Sequence, residues 1–283
     1  MALSVSRRIK IIIAVVVGLM VLATAAGAAS YALISEKEDN SPKAAASTSR
    51  STPKKTPTKA KTPTATPSTT TPTPEPANCA EVKCVALTFD DGPGADTPQL
   101  LDILKAEKVR VTFLLVGKSV ATYPDTVARE VAEGHSIGAH TWSHPELTKL
   151  SDAGIVNEVN ATVEAISKAA PNAKVTFTRP PYGAFNSRVI SVLQSLQHAA
   201  LLWNVDTLDW KNRDPNAVLQ QVKEQVKPGS IILMHDIHPT TIQAVPEIIK
   251  YLHSEGFTLV TVPEMFGGSL TPGKVYFDQN LIQ

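Results

Sequence analysis

From Val85 onward, short runs of β-branched and apolar residues alternate with longer stretches whose apolar positions recur every three or four residues. The runs "VALTF", "VRVTFLLV", "HSIGA", "KVTFT", "AALLWNV", "SIILM" and "FTLVTV" predict seven strands, since short apolar segments bounded by turn residues suit buried parallel strands. Helices are predicted between most of them: Thr97-Pro98 precedes "QLLDILKAEK", Tyr123-Pro124 precedes "DTVAREVAEG" and Ser151 precedes "DAGIVNEVNATVEAISKAA". Asn186 opens "SRVISVLQSLQ" and Asp214-Pro215 opens "NAVLQQVKEQV" in the same way. A last helix is expected from about Thr240 to Glu255, with Gly256 as its stop. Such alternation predicts an α/β fold with a parallel sheet covered by helices; about seven parallel strands favour an irregular barrel over an open doubly wound sheet.

Two upstream segments break this pattern. Ile11 to Ile34 carry no charge over about 24 residues, and about 20 cross a bilayer as a helix. Arg7, Arg8 and Lys10 precede the segment while Glu36, Glu38 and Asp39 follow it, so the N-terminus is expected in the cytoplasm and the remainder outside. Residues 1–34 therefore read as a cytoplasmic stub with a transmembrane anchor, giving a single-pass protein of the cell membrane. The competing reading is a signal segment cleaved near Ala28, at "AGA", and a secreted product. Residues 35–78 are Pro- and Thr-rich with almost nothing apolar to bury, which predicts a disordered linker. Extended as polyproline II, it would reach up to roughly 100 Å from the membrane. Residues 79–283 remain for one folded domain.

Composition adds limits. With 43% apolar residues and a net charge of +1, the chain can bury one core and has no basic field to attract nucleic acid, so no nucleic-acid partner is expected. A monomer is expected. The only two cysteines, Cys79 and Cys84, predict a disulfide in an exported chain. They could also begin a zinc site, but no second Cys/His pair lies nearby.

Polar residues gather just past the predicted strand ends: Asp90 and Asp91 after the first, His140 and His144 after the third, Arg179 and Tyr182 after the fourth, Asp206 and Asp209 after the fifth, His235 after the sixth. In barrels and open α/β sheets this is the face where ligands and chemistry collect. Two imidazoles four residues apart, on one helical turn, would grip one metal, and Asp91 could complete a His/His/carboxylate site. Gly92-Pro93 ends the strand, so Asp90 and Asp91 need not point to opposite faces. One carboxylate can then ligate while its neighbour stays free as a base.

"TFDDGP", "HTWSH", "RPPYG", "DTLDW" and "ILMH" occur in the order found in the polysaccharide deacetylases, the NodB-homology group or carbohydrate esterase family four. The chain resembles this family from about Cys79 to the C-terminus. The resemblance implies a distorted (β/α) barrel, a divalent metal (usually zinc, with Co2+, Mn2+ or Ni2+ as alternatives) and hydrolysis of N-acetyl groups on a carbohydrate polymer. Carried over by position, it makes Asp90 the general base, Asp91, His140 and His144 the metal ligands and His235 the general acid. It also makes Asp209 the partner that keeps His235 protonated and Arg179 the group that orients Asp90. A backbone N–H at Tyr182 would meet the developing negative charge, and Trp210 with Leu233 would line the acetyl pocket.

With the expected tether, the implied substrate is a cell-wall glycan, peptidoglycan first. Chitin oligomers, an O-acetylated polymer such as xylan, and a glycan-binding module without catalysis are the alternatives. His135, His198, His238 and His253 receive no role. Trp142 would either stack on a sugar ring or pack beneath its loop. The sequon at Asn160 falls inside a predicted helix and is read as chance.

Overall fold

The computed structural model describes residues 77–283. The expected membrane anchor and all of the expected linker but its last two residues lie outside them. Among the described residues no helix is long and apolar enough to cross a membrane.

Among the described residues nine strands form, two more than the sequence pattern predicts: β1 (Cys84–Asp90), β2 (Thr112–Leu115), β3 (Ser136–Ala139), β4 (Phe177–Thr178), β5 (Ala199–Leu201), β6 (Val205–Asp206), β7 (Ser230–His235), β8 (Thr258–Leu259) and β9 (Val275–Tyr276). Their order is β6-β7-β1-β2-β3-β4-β5-β9, with β8 also on β1, and every ladder is parallel. The sheet curls into a half-barrel rather than the expected seven-stranded barrel. One added strand comes from "AALLWNV", which reads as one strand but changes partners midway: β5 pairs with β4 and β9, β6 with β7; the other, β9, lies beyond the last predicted run. Side-chain periodicity does not register such a change of ladder. "FTLVTV" likewise gives only the two residues of β8 before turning into a helix at Val262.

Helices cover the sheet: α1 (Thr97–Glu107), α2 (Gly117–Thr122), α3 (Pro124–Ala132), α4 (Asp152–Ala169), α5 (Ser187–Ser195), α6 (Asp209–Asn212), α7 (Pro215–Gln225), α8 (Pro239–Ser254) and α9 (Val262–Met265). Three of them, α4, α5 and α7, begin where their caps predict. Ser151, Asn186 and Asp214 accept hydrogen bonds from the Gly154, Val189 and Asn216 N–H groups, satisfying donors that the first helical turn leaves free. Gly256, at φ +76°, follows α8.

All seven residues of β1 are buried. Val85, Leu87 and Phe89 pack outward with Leu100, Leu104, Ile248 and Ile249, while Cys84 and Ala86 face a second core with Leu114, Phe177, Leu201 and Ile231. Strand alternation therefore places Thr88 and Asp90 on the inner face of the curl. The Cys79–Cys84 disulfide forms, with 5.4 Å between its Cα atoms, and fastens the chain just ahead of β1.

One core feature has no counterpart in the sequence pattern. Glu130 on α3 is wholly buried and neither carboxyl oxygen has a partner. Burial, with added repulsion from Asp236, raises its pKa well above its ordinary value. A carboxyl raised in this way contributes fully to stability at low pH and progressively less as pH climbs above its unfolded value. Glu130→Gln removes the ionisable group, so thermal unfolding at pH 8 should rise by a few degrees and lose part of its pH dependence.

Candidate active site

β1 and β7 are neighbours in register, and their last paired residues are Asp90 and His235. Two groups 145 positions apart in sequence thus stand side by side at the same sheet edge. His140 follows β3 and Arg179 follows β4, so the sheet gathers the candidate residues at the C-terminal ends of its strands.

The loops carrying them are unusual. Asp91 (φ 72°), Thr141 (φ 67°), His144 (φ 60°), Tyr182 (φ 62°) and Leu208 (φ 54°) all adopt left-handed backbone that side chains ordinarily avoid. Such residues persist where surrounding structure holds them, often at functional sites. Asp91 is one, which is how the chain turns after Asp90 without sending the second carboxylate to the far face.

His140 and His144 do not share a helical turn, contrary to the spacing argument. Residues 140–144 form a bent loop, closed by the His144 N–H donating to Thr141 Oγ1 at 3.1 Å. Glu158 on α4 fastens it from outside, accepting from the Trp142 N–H, the Ser143 N–H and the Ser143 hydroxyl at 2.8–2.9 Å. The two imidazole rings end 4.8 Å apart. Glu158 stands in no motif, and only its place on α4 brings it to the loop.

One ligating atom from each of Asp91, His140 and His144 lies within 4.8 Å of the others. His140 Nε2 and His144 Nε2 are 3.5 and 3.4 Å from Asp91 Oδ1. A tetrahedral cation bound at 2.0–2.1 Å separates its ligand atoms by about 3.4 Å. Two further observations fit a cation. Asp91 Oδ1 is buried without a hydrogen-bond partner. His140 Nδ1 lies 2.7 Å from the Arg179 carbonyl, so its proton belongs there and Nε2 presents a lone pair to the site. Burial, only partly opposed by Asp91, lowers the His140 pKa to about 3, which keeps the ring neutral.

Arg179 is completely buried. Its guanidinium donates to Asp90 Oδ1 at 2.5 Å, to Thr88 Oγ1 at 2.9 Å, and to the Leu201 and Leu202 carbonyls at 3.2 and 2.9 Å. Those carbonyls lie where the chain leaves β5, so the arginine also satisfies backbone left over by the strand break. For Asp90, burial raises the pKa and outweighs the lowering by Arg179, so the net direction is upward. The arginine acts in the expected sense without prevailing.

Behind His235 sits Asp209, wholly buried at the start of α6. Its carboxylate meets His235 Nδ1 at 2.8 Å and accepts from the His235 N–H, the Thr241 hydroxyl and the Trp210 N–H at 2.7–2.8 Å. Burial alone would lower the His235 pKa, but the hydrogen bond and charge of Asp209, helped by Asp90 and Asp91, raise it to about 9. For Asp209, burial pushes upward and these same contacts win, so its pKa falls.

A cavity of about 420 Å³ opens over the group, walled by Asp90, Asp91, His140, His144, Tyr182, Trp210, Leu233 and His235, all named from sequence, together with Trp203 and Asp206. Asp206, which the sequence marks only by its strand-end position, also accepts from the Leu208 N–H at 2.9 Å. Trp203 falls inside the predicted fifth strand, where nothing marks it as a site residue; the Arg179 guanidinium lies 5.5 Å from its ring. Leu233 is buried, whereas Tyr182 is 69% and Trp210 48% exposed. Trp142 is not brought into the cavity: its ring covers Gly117 and lines a separate hollow with Val120, Pro124 and Ala161. His135 and His198 are core groups, bonded to the Val111 N–H and the Thr178 hydroxyl and lowered by burial to about 4.

A half-barrel with a carboxylate and two imidazoles converging at its strand ends, flanked by a carboxylate and a carboxylate-paired histidine, defines a hydrolase-like cation site. Residues 77–201 match the polysaccharide deacetylase family model. The chain is 41% identical over 207 residues to the peptidoglycan-N-acetylglucosamine deacetylase PgdA of Listeria monocytogenes serotype 1/2a, covering 73% of this chain and 44% of that protein. It is 42% identical over 184 residues to the peptidoglycan-N-acetylmuramic acid deacetylase PdaC of Bacillus subtilis, covering 65% and 38%. Among solved structures, a T48 deacetylase with substrate superposes at a TM-score of 0.68 with 48% identity, covering 71% of this chain and 99% of that one. The chain belongs to the polysaccharide deacetylase family; its match spans less than half the length of the two curated relatives.

Proposed function

We propose that this protein is a divalent-cation-dependent N-deacetylase of a cell-wall glycan, with peptidoglycan N-acetylhexosamine as substrate class. The observation that carries the reading is the convergence of Asp91, His140 and His144 between Asp90 and His235 in one cavity. The named activities of the Listeria and Bacillus relatives support the choice of polymer. Because one is named for N-acetylglucosamine and the other for N-acetylmuramic acid, the sugar is left as the broader class.

Asp91, His140 and His144 would hold the cation, zinc being the first choice for this nitrogen and oxygen donor set and Co2+, Mn2+ or Ni2+ the others. When bound, it supplies Lewis acidity toward the acetyl carbonyl. Asp90, aimed by Arg179, takes the proton of the attacking water. The Tyr182 N–H is assigned to the charge that develops on the carbonyl oxygen. His235 arrives protonated and gives its proton to the departing amine, which leaves poorly otherwise; Asp209 keeps that proton in place. Leu233 and Trp210 offer an apolar wall that suits a methyl group and disfavours a longer acyl chain. The proposed location is the outer side of the cell membrane, with residues 11–34 as anchor.

The deciding experiment is acetate release by the Zn2+-loaded protein from peptidoglycan, chitin oligomers and acetylated xylan. Release from peptidoglycan at the highest kcat/KM is expected. Preference for either other polymer overturns the substrate class, and binding without release from any overturns the enzyme. For the anchor, the intact mass should retain the N-terminal segment; a mature start near Ala29 overturns it.

A further inference from the structure

Asp236 follows His235 and takes no part in the chemistry above, yet its side chain is wholly buried. Oδ2 accepts from the Thr97 hydroxyl, and that same hydroxyl accepts the Gly94 N–H at 2.8 Å. Gly92 lies flat against the carboxylate, so that a β-carbon there would overlap both oxygens and Cγ. Its φ is not left-handed; steric room alone demands glycine. One side chain therefore holds positions 92 and 94 of the loop that begins with Asp90 and Asp91. From the other side, the Gly92 carbonyl accepts the Val116 N–H at 3.1 Å.

Stability does not explain the carboxylate. Asp236 Oδ1 has no partner among the described residues, and a buried polar atom left unpaired works against folding. What the group gains is a fixed loop. Asp91 is left-handed and must be held there from outside, and Asp236 belongs to the same strand end as His235.

We infer that Asp236, acting through Thr97, is a positioning residue that latches the Asp90–Gly94 loop to the strand end bearing His235 and so sets Asp91 against His140 and His144. This rests on reading those three residues as cation ligands. Releasing the latch lets Asp91 drift from the two imidazoles 3.4–3.5 Å away, while the exposed Tyr182 and Trp210 walls keep their places. Cation affinity and turnover then suffer, and glycan binding does not.

The test measures the Zn2+ dissociation constant by chelator competition, with kcat and KM for acetate release, in the full-length chain. Thr97→Val keeps the shape and loses the hydroxyl; it should weaken Zn2+ binding and lower kcat by about 10–100-fold, the range for outer residues that support metal ligands, with KM within about twofold. Thr97→Ser should restore both. Gly92→Ala should weaken Zn2+ binding as Thr97→Val does, yet cost little more once Asp236→Ala has removed the obstacle. A folded Thr97→Val with wild-type Zn2+ affinity and kcat overturns the latch, provided Asp91→Ala loses Zn2+. If Asp91→Ala keeps Zn2+, the ligand reading itself falls, and the latch with it.

Discussion

Asp90→Asn is expected to lower kcat for acetate release by about 10²–10⁴-fold, the range for loss of a positioned general base. Asparagine matches the shape of aspartate and retains one oxygen for the Arg179 guanidinium, so the cavity should survive. It cannot accept a proton from water. The variant should bind Zn2+ as the parent does, because Asp90 is read as the free carboxylate of the pair and Asp91 as the ligand. Some stability should go as well, since Arg179 would then be a buried cation with no facing anion. Its remaining acceptors, Thr88 Oγ1 and the Leu201 and Leu202 carbonyls, limit that loss. Rates are therefore compared well below the unfolding transition, with bound Zn2+ as control. Activity within tenfold of the parent would remove Asp90 from the base role. In the parent, burial raises the Asp90 pKa from its ordinary value against the lowering by Arg179, so the acid limb of kcat/KM should be displaced upward in the same direction.

Much of this site was legible before folding, for a simple reason. A buried parallel strand is apolar until it ends, so the first charged residues beyond it mark the sheet edge where sites form. Asp90, Asp91, His140, Arg179 and His235 are all visible in that way, and helix starts at Ser151, Asn186 and Asp214 announce themselves by side chains that accept backbone N–H groups. What escaped depends on partners distant in sequence. The break between β5 and β6 is set by which strand each half pairs with, not by its own residues. The His140–His144 loop is bent by Thr141 and Glu158, and a four-residue spacing cannot distinguish that bend from a helical turn. Trp142 turns away because Gly117 leaves room for it on the far side. Asp236 and Glu130 look like ordinary surface acids until the helices close over them.

Asp209→Asn should move the alkaline limb of the pH–rate profile downward by more than one unit. A general acid works only while protonated, so activity falls as pH rises through its pKa. In the parent, the Asp209 carboxylate overcomes burial and holds His235 at about 9. Without that charge burial prevails, and the imidazole drops toward or below its ordinary value of about 6.5. Without the cation, the protonated fraction at pH 7.5 falls from nearly all to about a tenth or less, and the rate of the loaded enzyme should fall in the same direction. A cation nearby lowers the His235 pKa in parent and variant alike, so the difference between the two limbs is the readout rather than either position. Stability carries the same sign: because the folded pKa is raised, the pair's contribution is complete below about pH 6.5 and is lost as pH climbs through about 9. The parent should lose thermal stability across that window, and Asp209→Asn should show a flatter response from a lower start. Lowering the pH should rescue the rate of the variant in part, until Asp90 in turn becomes protonated. An alkaline limb that stays put in Asp209→Asn would mean that some group other than His235 protonates the amine.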